Sequence, residues 1–253
     1  MGTVLYTRRR ALADGEPGAI VTDQSYDEKV RVAMAALTKA FDGRTPAEEM
    51  LSRVTAAAVD LINGVDCADV LVFGDGHFRS AASTSDLVFA LATAQQDAGQ
   101  GPCLDAIGGR TVIRSNDLRT EPRWPHFARI ATALGVHSVL SYRLDTHGAK
   151  AATLSFFGCK PEAFGMESQA FGATLAAHAS IALITDDRRH QFESALASRD
   201  VIGQAKGMIM ERFNVDAFRA FDMLRRISQD SNTPVKDIAR RLTSAELAGR
   251  GGQ

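Results

Sequence analysis

The chain is short of the residues from which most enzyme sites are built. Its three cysteines, Cys67, Cys103 and Cys159, stand far apart with no CxxC pair. That excludes a disulfide framework and a zinc knuckle, and it suits a reducing compartment. The six histidines are dispersed, no two at a metal-ligand spacing, so no metal and no cofactor are expected. No GxxxxGK[ST], HExxH or GxSxG string occurs, which removes the phosphate-wrapping loop, the zinc protease helix and the hydrolase elbow. No apolar run reaches the ~18–20 residues of a membrane helix, so no membrane partner is expected. Neither sign of charge dominates, with 29 Lys+Arg against 30 Asp+Glu, so a protein that coats nucleic acid by bulk charge is excluded. Arg8-Arg9-Arg10 resembles the start of an export signal, but Asp14, Glu16 and Pro17 interrupt any apolar stretch behind it. The expected location is cytoplasmic.

What is present is ordinary globular composition, 45% hydrophobic and 23% charged, arranged in blocks of different period. Residues 1–24 show no period and read as a flexible arm. Val30, Met34, Leu37 and Phe41 share one helical face, and Thr45-Pro46 opens a second helix with Met50, Leu51, Val54, Ala58, Leu61 and Ile62 as its stripe. Strand-like runs follow at Ala68–Phe73 and Phe78–Ser83 around Gly74-Asp75-Gly76, then at Thr111–Arg114, Ser138–Leu144 and Ala152–Phe157. His147-Gly148 reads as a turn, and helices are expected over Leu87–Gln96 and Trp124–Leu134. This order predicts an α+β domain over residues 25–185, an antiparallel sheet flanked by helices.

From Met166 the helical pattern runs almost unbroken to Phe213. The stretch to Gly203 alone would make a rod of roughly 55 Å, the length of a linker helix that joins modules or pairs with a second copy of itself. Residues 186–245 then read as a small three-helix domain, and 246–253 as a glycine-rich tail expected to fray from Ala248. Ile202, Ala205, Ile209 and Phe213 are expected to form the first apolar face. Asn214 is the expected cap of the second helix, with Ala217, Phe221, Leu224 and Ile227 on its core side. Thr233-Pro234 starts the third helix, with Val235, Ile238, Ala239 and Leu242. A bundle of under sixty residues is near the lower limit for independent stability, and a homodimer would support it. From Arg188 onward the balance is +4, while the remainder carries −5. An acidic body with a basic tail suggests an anionic partner for the tail.

Two readings stand for each candidate site. Arg119, Arg123 and Trp124 form either a ligand-binding cationic–aromatic cluster or a core tryptophan with solvated arginines. Cys103, in Gly101-Pro102-Cys103-Leu104-Asp105, is either a buried apolar residue or a thiol activated by a helix N-terminus, the latter implying an oxidoreductase. In the tail, Arg199, Lys206, Arg212, Lys236, Arg240 and Arg241 form either a phosphate-facing surface or a solvated face.

Residues 199–242 resemble an ANTAR domain, the RNA-binding module of bacterial antiterminators. The likeness runs through Ile202-Gly203-Gln204-Ala205-Lys206-Gly207-Met208-Ile209-Met210, then Ala217-Phe218 with Leu224-Arg225, then Val235-Lys236-Asp237-Ile238-Ala239. Residues 45–185 resemble a GAF sensor domain, through Gly101-Pro102-Cys103-Leu104-Asp105-Ala106, Asn116-Asp117-Leu118, Arg123-Trp124-Pro125 and Gly135-Val136-His137-Ser138. The resemblance implies a signal-responsive regulator and not an enzyme, with structured RNA, probed as tandem hairpin loops, as its partner. It implies RNA contact by Lys206, Lys236, Arg240 and Arg241, with Arg199, Gln204 and Arg212 behind them. It also implies a small-molecule or protein signal at the sensor, with Arg119, Arg123, Trp124 and Cys103 as its ligand-binding residues. The competing expectation is a DNA-binding regulator with a helix-turn-helix-like tail. Against it, the helix after Thr233 offers Lys236, Asp237, Arg240 and Arg241 but no Asn/Gln set for adenine edges.

Overall fold

The computed structural model describes residues 45–74, 76–146 and 151–250, together with Glu28, Arg31, Val32 and Ala35. The expected arm, the Val30–Phe41 stripe and the His147-Gly148 turn lie outside the described residues. From Ala47 to Gly158 the expected strands and helices are present, with ends within two residues of the predicted ones.

Five strands, β1 (Cys67–Gly74), β2 (His77–Ser83), β3 (Val112–Ser115), β4 (Ser138–Leu144) and β5 (Ala151–Gly158), form one sheet in the order β2-β1-β5-β4-β3. All pairings are antiparallel. The central strands are buried on both faces, which is why Ala68–Phe73 reads as a continuous apolar run.

One face is apolar over its central strands. Val70, Leu140, Tyr142, Leu154 and Phe156 pack against helix α1 (Ala47–Leu61) and the first turns of helix α5 (Met166–Phe213). Here α5 comes very close to the sheet: a Cβ on Gly172 would stand 2.7 Å from the Tyr142 hydroxyl and 2.8 Å from the Phe156 ring. The other face carries α2 (Leu87–Ala98), α3 (Pro102–Ile107), a 3-10 turn (Leu118–Thr120) and α4 (Pro125–Ala133). Cys67, Val139, Phe157 and Ile113 meet Leu91, Trp124 and Phe127 there. Trp124 caps α4 instead of opening it, and is 1% exposed.

Helix α5 is continuous for 48 residues, about 72 Å at 1.5 Å per residue. It leaves the sensor sheet and enters a bundle with α6 (Ala217–Asp230) and α7 (Val235–Arg250). The bundle core is Ala205, Ile209, Ala220, Leu224, Ile238 and Ala239.

Three expectations are corrected here. Asn214 does not cap α6; it ends α5 in the left-handed conformation at φ 51°, and Asp216 caps α6 by accepting the Arg219 backbone N–H at 2.7 Å. The core side of α6 is Ala220 and Leu224, whereas Phe213, Ala217, Phe221 and Ile227 are exposed. Three alanines at the bundle centre, Ala205, Ala220 and Ala239, are fully buried, Ala220 in the place expected for a larger side chain. Finally, α7 continues to Arg250, so the tail expected to fray from Ala248 begins inside a helix.

Candidate functional site

The second face of the sheet is apolar at its ends and polar at its centre. Asp69 on β1 is opposite Ser155 on β5, and Ser155 is opposite Ser141 on β4. All three are buried, and the two serine hydroxyls lie 2.8 Å apart. Asp69 Oδ1 accepts from Ser80 Oγ at 2.6 Å, but its Oδ2 is buried without a hydrogen-bond partner. Burial pushes this carboxyl up to about 6, against the opposing Ser80 hydrogen bond.

Cys103 is set over this row by its local sequence. Gly101 has φ +150°, and a Cβ there would stand 2.4 Å from Gln95 Cγ, so glycine is required. Pro102 starts α3, and the buried Gln95 side chain accepts the Cys103 backbone N–H at 2.8 Å. The thiol then lies 3.4 Å from Ser155 Oγ with none of its surface exposed. Burial pushes its pKa up, so the Cys103 thiol stays protonated and is a poor nucleophile.

The Arg119–Arg123–Trp124 cluster lies at the rim of the same domain. Arg119 Nη2 donates to Asp117 Oδ2 at 2.7 Å, and Arg123 Nη2 donates to Glu121 Oε2 at 2.6 Å. These hydrogen bonds bring both carboxyls down to about 2. The Arg123 guanidinium also covers the Trp124 ring at 4.2 Å, while the Trp124 Nε1 is buried without a partner. Asp117 and Glu121 line an open groove of about 420 Å³ with Arg114, Asn116, Thr120 and Glu162. None of the four residues expected to bind ligand lines this groove: Arg119 and Arg123 pair with its carboxylates Asp117 and Glu121, Trp124 is buried beneath Arg123, and Cys103 faces the sheet.

In the tail, Arg199 and Lys206, seven residues apart, share one stripe of α5, and Lys236 and Arg240, four apart, share one face of α7. Arg199, Gln204, Arg212, Lys236, Arg240 and Arg241 are exposed and Lys206 is half-buried. Arg240 pairs with Asp237 at 3.2 Å. Sequence reasoning missed the exposed phenylalanines of this module, Phe213, Phe218 and Phe221. It also missed Asp69, although a lone carboxylate within an apolar strand was the available signal. Among the described residues no helix is long and apolar enough to cross a membrane, and no group of three His, Cys, Asp or Glu is placed to hold a metal.

The GAF domain family matches residues 45–184, and the ANTAR domain family matches residues 190–242. The photosensory core module of a Stigmatella aurantiaca phytochrome is similar at TM-score 0.55 and 14% identity, over 81% of this chain and 45% of that one. The free methionine-R-sulfoxide reductase from Neisseria meningitidis, solved with its substrate, is similar at 0.50 and 14%, over 67% of this chain and 95% of that one. The GAF domain of a Coxiella burnetii phosphoenolpyruvate-protein phosphotransferase is similar at 0.49 and 18%, over 68% and 98%. Likeness at these identities is one of fold alone. No curated protein matches the chain. With a GAF domain over more than half its length and an ANTAR domain behind it, the chain belongs to the GAF–ANTAR proteins, RNA-binding antitermination regulators that carry a sensor domain.

Proposed function

We propose that this protein is a cytoplasmic, non-catalytic regulator that works as a homodimer and grips tandem RNA hairpins with its paired tail bundles. The observation that carries the reading is the middle of α5. From Arg188 to Ala197 every residue is exposed, and Phe192 and Leu196 are 70% and 51% exposed. Phe192 and Leu196 lie one turn apart and share a stripe of the helix with the exposed Ile181, an apolar surface that a second copy of the helix would cover. Two bundles held on one paired rod read two loops with the avidity of a tethered second site.

Lys206, Lys236, Arg240 and Arg241, with Arg199 and Arg212, supply the phosphate contacts, and Gln204 adds a side chain able to hydrogen-bond a base. At the other end, the groove beside Arg119 and Arg123 takes the signal, a small polar molecule whose occupancy acts on α5. Trp124, under the Arg123 guanidinium, supports that site from the core side, and Cys103 packs against the sheet apart from it.

The test measures binding of Lys206→Ala with Arg240→Ala to tandem-hairpin RNA over a range of salt, with duplex DNA as competitor. Affinity should fall for every loop sequence, and the slope of log K against log salt should shrink by about two. An unchanged slope removes both residues from the interface, and displacement of the hairpins by duplex DNA replaces the RNA reading with a DNA-binding one.

A further inference from the structure

Helix α6 is amphipathic in an unusual sense. Its core side holds Ala220 and Leu224, while Phe218 on the far side and Phe221 on the flank are 84% and 42% exposed. Phe213, at the end of α5 and across the short turn from α6, is 55% exposed. Arg225 lies one turn beyond Phe221 on the same side of the helix, Asp222 one turn beyond Phe218, and Arg212 and Arg219 are the sequence neighbours of Phe213 and Phe218. Asp222 pairs with both Arg225, at 2.9 Å, and Arg226, at 3.2 Å.

The chemistry of the surface selects its partner. An apolar protein groove would leave the guanidinium groups unpaired at the centre of the contact. Rings interleaved with cations match a chain that alternates flat π-faces with phosphates. We propose that Phe218 and Phe221, with Phe213 at the edge, form a stacking platform for unpaired bases of the RNA, and that Arg212, Arg219 and Arg225 meet the phosphates between those bases. This rests on the RNA-binding reading and adds the base-contacting half that a set of lysines and arginines lacks.

The experiment uses the full-length protein and a tandem-hairpin RNA, selected against that protein from a library with randomised loops and relabelled with 2-aminopurine in each loop. The wild type should change the fluorescence of at least one loop position. Phe218→Leu with Phe221→Leu should weaken binding at least tenfold and abolish that change, with the salt slope unaltered. Phe218→Tyr should retain both, and both rings being solvent-exposed, circular dichroism should be unaltered in all variants. Wild-type affinity in the double leucine variant, or a persistent fluorescence change, overturns the platform and leaves the RNA reading standing. A loss of sedimenting mass with RNA affinity intact makes the face a protein contact and also overturns it. Failure of the library to yield any RNA bound by the wild type removes both proposals.

Discussion

Tyr142, on strand β4, donates its phenolic hydrogen to the Gln169 carbonyl, 2.7 Å away near the start of helix α5. One turn on, Gly172 rests on the same ring. The sheet and the long helix thus meet through a hydrogen bond and a backbone contact that leaves no space for a side chain. Gly172→Ala should destabilise the sensor domain by about 1–3 kcal/mol, because Tyr142 and Phe156 are both buried and have nowhere to shift. Tyr142→Phe, which only removes the hydrogen bond, should cost about 1 kcal/mol. Urea unfolding followed by near-ultraviolet circular dichroism ranks the two, and an Ala variant as stable as wild type would show that the helix stands further off.

Asp69 makes stability depend on pH with an uncommon sign. Its folded-state pKa of about 6 lies above the ~3.9 of an unfolded aspartate, so folding favours the protonated form. The contribution is fully favourable below about pH 4 and is lost as pH rises through 6. The total change is of order 2–3 kcal/mol. Asp69→Asn should flatten the profile between pH 4 and 7 and stabilise the protein at pH 7.5. Parallel profiles for the two proteins in denaturant titrations would show that the carboxyl is ionised in the fold.

The three thiols should separate by reactivity. Cys159 is exposed, whereas Cys67 and Cys103 are buried, and burial pushes Cys67 up to about 12. One thiol per chain should react rapidly with an aromatic disulfide at pH 8, and the other two only on unfolding. Rapid modification of Cys103, identified by peptide mass, would reopen the oxidoreductase reading.

Phe192→Glu with Leu196→Glu should turn a dimer into a monomer without changing helix content, since neither side chain is packed within its own chain. Sedimentation equilibrium reads the outcome directly. A variant with unaltered mass would place the self-association elsewhere or remove it.

How much of this was legible beforehand follows from where each signal lies. The sheet could be read because β1, β4 and β5 are short apolar runs between turns, and the rod because no proline or turn cluster interrupts Met166–Gly203. The polar row could not be read. Asp69, Ser141 and Ser155 become neighbours only when β1 pairs with β5, whose residues lie more than eighty positions away. Helix α6 misled for another reason: it carries two apolar stripes, one through Ala217 and Phe221 and one through Ala220 and Leu224. Hydrophobicity alone favours the phenylalanine. The structure turns the alanine inward, where Ala220 packs in one buried cluster with Ala205 and Ala239. Asn214 and Asp216 are both good capping residues, and only the left-handed backbone of Asn214 separates a helix end from a helix start.

Because α5 runs without a break through the exposed segment 188–197, it behaves as a screw of fixed pitch. Each residue added there rotates everything downstream by about 100° and advances it by about 1.5 Å. Seven extra residues return the bundle to within roughly 20° of its original bearing, whereas two swing it nearly to the far side. A change in the length of this segment therefore alters the bearing of the bundle as much as its distance from the sheet.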